Sequence, residues 1–138
     1  MRVVLDTNIL LSALISKSAA PYTLYQTWRN KKLELLCCEA QLNELREVTR
    51  RIAIAARIKP FEAGLLVNNL RHLTHSIANP PQVQRSSDPK NDYLLALAQA
   101  GQAQYLVTGD KNGLLSLGHH QGTQIVTANW LANHLKMG

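Results

Sequence analysis

Apolar residues arrive along this chain in short bursts, and their spacing alternates between two rhythms. Val3-Val4-Leu5 is a fully apolar run that meets Asp6, Thr7 and Asn8, and a second run, from Ile9 to Ile15, follows at once. The first reads as a strand buried on both faces, as in parallel sheets. The second reads as a helix to about Ser16, with Thr7 or Asn8 as its cap. Pro21 suits a first helical position, and Tyr22, Leu24, Tyr25 and Trp28 give an amphipathic helix ending near Lys31. Leu33 to Cys37 is a short strand. From about Glu39, the residues Leu42, Leu45, Val48 and Ile52 recur at helical spacing. Pro60 opens a helix carrying Phe61, Leu65, Leu66, Leu70 and Leu73, and His75 to Ala78 can form a strand.

Residues 79–88 break both rhythms with Pro, Ser and Asn, which marks a loop and the most mobile segment expected. The helix predicted from Pro89 to about Ala100 is apolar nearly all round, so it is expected to be deeply buried, with Gly101 stopping it. Tyr105-Leu106-Val107 is another buried strand, ending in Thr108-Gly109-Asp110. A short helix from Leu114 to Leu117, the strand Gln124-Ile125-Val126 and a closing helix with Trp130, Leu131 and Leu135 complete the chain. Strands alternating with helices predict an α/β fold, three layers around a mainly parallel sheet. With 138 residues and no repeat, residues 1–138 are read as a single domain.

Composition narrows the partners. The 46% apolar fraction argues against disorder, and no run reaches the ~20 apolar residues of a membrane span. Asp6 interrupts the first apolar run and no small-residue cleavage site follows it, so a soluble cytoplasmic protein without a signal peptide is expected. Cys37 and Cys38 are adjacent, point to opposite faces of a strand, and suit core thiols in a reducing compartment. The net charge of +6 is unevenly spread: Arg46, Arg50, Arg51, Arg57 and Lys59 cluster with only Glu47 against them. Such a stretch fits a polyanion, or simply a solvated helix face.

Nine residues are acidic and four are aspartates: Asp6, Asp88, Asp92 and Asp110. Asp6 and Asp110 end buried strands, where open α/β sheets place their ligands, although both could equally cap the helices after them. Asp88 before Pro89 reads as an N-cap. Asp92 lies past that cap and shares a face with Leu95 and Ala96, so it is expected to point inward with no obvious basic partner nearby in sequence. Glu44 sits on the margin of an apolar stripe, a position that is usually solvated. If Asp6, Glu44, Asp92 and Asp110 meet, their mutual repulsion calls for a cation, and hard oxygen ligands select Mg²⁺ or Mn²⁺. A divalent ion so held activates water against a phosphodiester.

The stretches Val3 to Asn8, Asp88 to Asp92 with its Leu-Ala helix, and Leu106 to Lys111, with Glu44 between the first two, resemble PIN-domain ribonucleases in order and spacing. The likeness is greatest to the bacterial toxin-component group related to VapC, and it covers the whole chain. The resemblance implies a PIN-like α/β/α sandwich and an acidic pocket binding Mg²⁺ or Mn²⁺ for endonucleolytic cleavage of single-stranded RNA. It implies that Asp6, Glu44, Asp92 and Asp110 are catalytic and bind metal, and that Asn8 and Thr108 orient their carboxylates. It also implies a homodimer and a partner antitoxin. Relatives often carry further acids where this chain has Asn91 and Asn112-Gly113. Arg46, Arg50 and Arg51 are the residues expected to hold RNA.

Other chemistries have less support. His72 and His75, or His119 and His120, lack a zinc-site pattern, and no nucleophile elbow, P-loop or dinucleotide fingerprint is present. An aspartyl-nucleophile phosphatase wants an acid where Asn8 stands. Two alternatives stay open: a PIN-like module that binds RNA or protein with weak or no catalysis, and an RNA-processing nuclease that is not a toxin.

Overall fold

The computed structural model describes residues 1–51 and 56–137. Six strands, β1 (Arg2–Leu5), β2 (Glu34–Cys37), β3 (His75–Ser76), β4 (Tyr105–Val107), β5 (His119–His120) and β6 (Thr123–Val126), form one sheet in the order β3-β2-β1-β4-β6-β5. All pairings are parallel except β5 with β6, which is antiparallel. Among the described residues the helices are α1 (Thr7–Ile15), α2 (Ala20–Arg29), α3 (Glu39–Arg50), α4 (Pro60–Leu73), α5 (Asp92–Gly101), α6 (Leu114–Leu117) and α7 (Ala128–Met137). None is long and apolar enough to cross a membrane.

The period of two along each strand sorts the core into two halves. Val3, Leu5, Leu35, Cys37, Val107 and Val126 face one way, into a cluster with Leu10, Leu24, Leu45, Leu66 and Leu131 from α1, α2, α3, α4 and α7. Val4, Leu36, Leu106 and Ile125 face the other way, against Leu94, Leu97 and Ala98 of α5 and Leu114 of α6. These short apolar strands are buried on both faces because helices cover both, which gives the three-layer α/β/α sandwich.

Several details depart from the sequence reading. Of the caps offered for α1, Asp6 takes the place and Thr7 and Asn8 do not: its side chain accepts from the Asn8 N–H. His119 and His120, which the hydrophobic pattern assigned to no element, form a strand antiparallel to β6. The helix expected from Pro89 begins as a 3₁₀ turn, Pro89–Asn91, before α5. Gly101 does not stop α5 but is its last residue, and Gln102 takes the left-handed turn at φ 54°. Gly101 serves close packing instead, since a Cβ there would overlap the Leu36 side chain. Ile52 lies outside the described residues. Both thiols are free and buried, and burial beside Cys38 pushes Cys37 up to about 12.

The sheet order reverses direction at the centre. From β1 the chain steps to β2 and β3 on one side, then returns to β4 on the other. A crevice opens outside the carboxyl ends of two such strands. The residues that follow them are Asp6 and Thr108-Gly109-Asp110.

Candidate active site

Asp6 is fixed by the strand that ends in it. Its N–H donates to the Val107 carbonyl at 2.9 Å, continuing the β1–β4 ladder by one residue. On the other flank, buried Gln41 of α3 donates from Nε2 to the Leu5 carbonyl at 2.6 Å. The Asp6 side chain therefore has little freedom, and it is only 5% exposed. Its Oδ2 accepts from the Thr108 hydroxyl at 2.8 Å and its Oδ1 from the Asn8 N–H at 3.3 Å.

Thr108 links the two strand ends. The same Oγ1 that donates to Asp6 accepts from the Asp110 N–H at 3.1 Å, so one fully buried hydroxyl holds both segments. The Asp110 carboxylate folds back over its own loop: Oδ1 accepts from the Gly113 N–H at 3.1 Å, and Oδ2 from the Leu114 N–H at 3.1 Å. Asn91 adds a further donor, Nδ2 to Asp110 Oδ2 at 3.1 Å. Gly113 is required for this approach, because the Asp110 carboxylate occupies the space where a Cβ would project.

Burial raises the pKa of Asp6, and the charge of Asp110 raises it further, while the donors Thr108, Asn8 and Thr7 oppose the shift. Asp6 and Asp110 line a cavity of about 510 Å³ together with Asn8, Ser12, Asp88 and Asn91.

The other expected acids are placed differently. Asp92 is 9% exposed, as its apolar neighbours predicted, but it does not line this cavity. Its Oδ1 accepts from the backbone N–H groups of Arg85 (3.2 Å) and Ser86 (2.8 Å), so loop amides stabilise the buried charge where a shared cation was expected. Glu44 is half-buried and stands beside the Tyr93 hydroxyl, which also contacts the Thr7 hydroxyl at 3.2 Å. Burial, with the Glu44 charge alongside, pushes the Tyr93 phenol well above its usual range. Among the described residues no three His, Cys, Asp or Glu side chains are gathered as a ready-made metal site. Of the four acids expected to meet, Asp6 and Asp110 line the cavity, together with Asp88, and Glu44 and Asp92 do not.

Asn8 contributes its backbone N–H to Asp6, whereas its exposed side chain lines the cavity without bonding either acid. Arg46 turns back to Glu39 at 3.8 Å and Asn43 at 3.2 Å. Arg50 and Arg51 are exposed at the end of α3 and line no part of the acidic cavity. Asp88 caps the Lys90 N–H at 3.0 Å, as its place before Pro89 predicted, and also reaches the cavity wall. Gln41, Asn91 and Gly113 were not singled out for these roles from the sequence. Only the glycine three residues after Asp110 offered a local signal, that of a tight turn.

A family model described as PIN domain matches residues 2–112. No curated protein matches the chain. Among solved structures, the chain is similar to the crystal structure of VapBC2 from Rickettsia felis bound to a DNA fragment from their promoter. That match has a TM-score of 0.56 at 14% identity, and covers 92% of this chain and 98% of the other. At that identity the likeness concerns the fold.

Proposed function

The chain belongs to the PIN domain family, and on that premise we propose that it is a divalent-metal-dependent endoribonuclease acting on single-stranded RNA, the toxin component of a toxin–antitoxin pair. The observation that carries this reading is the meeting of Asp6 and Asp110 at the reversal point of the sheet, joined through Thr108.

The donor set fits Mg²⁺ or Mn²⁺. Both groups are hard oxygen donors, and Asp6 is a buried carboxylate beside a like charge, an arrangement that a cation relieves. Two carboxylates are enough, because Mg²⁺ commonly takes one or two from the protein and completes its shell with water and substrate phosphate. When bound, the ion supplies an activated water and neutralises charge developing on the phosphoryl group.

The chain's own residues supply position. Thr108 fixes the spacing of the two acids, and Asn91 with the Gly113 and Leu114 N–H groups sets the rotamer of Asp110. Asn8 and Ser12, on the cavity wall, are placed to donate to phosphate or ribose oxygens. Glu44 and Asp92 belong to the surrounding frame and act through Tyr93 and the loop before α5. Arg50 and Arg51, with Arg46 behind them, hold the flanking RNA through its phosphates.

The VapBC2 neighbour is a two-component assembly bound to promoter DNA. By analogy this chain pairs with an antitoxin, and its resemblance to the toxin-component group implies a homodimer. Production of the protein alone arrests growth and its co-production with the product of an adjacent small gene restores it; growth unaffected by the protein favours RNA processing. The activity is tested with purified protein and a single-stranded RNA. Cleavage is expected with Mg²⁺ or Mn²⁺ and is lost with chelator, in Asp6→Asn and in Asp110→Asn; cleavage surviving all three refutes the reading.

A further inference from the structure

A cavity of about 740 Å³ borders the start of α5 and shares no lining residue with the acidic pocket. Neighbouring side chains divide the two: Asn91 lines the acidic pocket, and Asp92 lines this cleft. The remaining wall comes from the first turn of α3, the segment after β3, and the Tyr93 side chain.

The lining excludes phosphate. Among the described residues no Lys or Arg lines it, and its charged groups are the carboxylates of Asp92 and of Glu39, which Arg46 approaches to 3.8 Å. Gln82, Gln84 and Asn79 add neutral amides, and Tyr93 adds an aromatic ring. That mixture suits a planar, neutral group with hydrogen-bonding edges, since unpaired bases bind by stacking on aromatic side chains and bonding along their edges.

The wall is held in place before any ligand arrives. Arg85 and Ser86 bind Asp92 Oδ1 through their N–H groups. The Arg85 guanidinium donates to the His119 carbonyl at 3.1 Å and to His120 Nδ1 at 2.9 Å. His120 Nε2 meets Gln99 Oε1 at 2.8 Å. This chain of bonds ties the loop to β5 and α5, so little ordering remains for binding to overcome. Asp92 Oδ2 has no donor among the described residues. It and the exposed Glu39 offer carboxylate acceptors but no donor of their own.

We propose that this cleft receives one unpaired nucleobase of the RNA whose phosphodiester lies over Asp6 and Asp110, and that its carboxylates select bases bearing an exocyclic amine, cytosine over uracil. The proposal rests on the ribonuclease reading and adds a specificity pocket to it. Cytosine and uracil have nearly the same shape, but cytosine presents an N4 amine to a carboxylate where uracil presents a carbonyl oxygen, which is repelled.

The test uses fluorescence anisotropy with labelled oligocytidylate and oligouridylate of equal length, in chelator, so that binding is read without cleavage. Wild-type protein is expected to bind oligocytidylate about tenfold more tightly, the scale of one good base-edge contact. The double variant Glu39→Gln/Asp92→Asn keeps an acceptor for the loop amides and is expected to lose the preference. Ala40→Trp, at an exposed position on the cleft wall, fills the space and is expected to equalise the two oligomers. It stands in if the double variant does not fold by circular dichroism. Equal affinities in the wild type, or a preference that survives Ala40→Trp, overturn the proposal. A preference without Mn²⁺-dependent cleavage leaves the cleft standing and removes the nuclease reading, and cleavage without preference does the reverse.

Discussion

Replacing Thr108 by Val removes one oxygen and leaves almost the same shape. That oxygen makes two contacts in a fully buried position: a 2.8 Å bond to the Asp6 carboxylate and a 3.1 Å bond from the Asp110 N–H. A hydrogen bond to a charged group contributes about 1.5–3 kcal/mol, and one between neutral groups about 0.5–1.5 kcal/mol. The two share an atom and are not independent, so about 2–3 kcal/mol is the expected loss, with no cavity contribution. Thr108→Ser separates the causes, because it keeps both bonds and loses a methyl group, at about 1 kcal/mol. Urea unfolding followed by circular dichroism measures both, with the slope against denaturant expected to stay constant. Cleavage should fall steeply in the Val variant and be largely retained in Ser. A Val variant as stable and as active as the wild type, or a Ser variant equal to Val, refutes the role assigned to the hydroxyl.

Gly113→Ala places a Cβ where the Asp110 carboxylate sits, so it should displace that group and lower Mn²⁺ affinity measured by calorimetry; unchanged affinity contradicts the packing described. Charge reversal of Arg50 and Arg51 should weaken RNA binding and flatten its salt dependence by about one unit of slope for each phosphate no longer held, and an unchanged slope removes them from the RNA path. His120 has its pKa lowered by burial, then by Arg85 and His119, so the folded state favours the neutral ring that accepts from Arg85. The sign follows: this contribution is complete above the unfolded pKa of about 6.5 and is lost as pH falls through the lower folded value. Thermal unfolding between pH 7.5 and 5.5 should therefore show a larger acid loss in wild type than in His120→Gln; parallel curves contradict the network.

The hydrophobic rhythm carried the fold because the strands are short and covered on both faces. Val3 to Leu5 and Tyr105 to Val107 could be read as buried strands without knowing what lay beside them. β5 escaped because two residues, His119 and His120, carry no periodicity; pairing with β6 makes them a strand. At the site, Asp6 and Asp110 were legible because a strand end in an open α/β sheet fixes where the next side chain goes. Asp92 was legible as buried but not in its partner: burial needs compensation, and sequence does not distinguish a cation from the Arg85 and Ser86 amides. The part played by Gln41 was invisible, because a bond to the Leu5 carbonyl from thirty-six residues away leaves no local pattern.

The central claim is that Asp6 and Asp110 together hold a divalent ion for RNA cleavage. Isothermal titration of Mn²⁺ into wild-type, Asp6→Asn and Asp110→Asn proteins tests it most directly. The expected result is one saturable site in the wild type that is lost in both variants while their circular dichroism is unchanged. Equal Mn²⁺ binding in all three proteins, or none in the wild type even with an uncleavable RNA present, contradicts it.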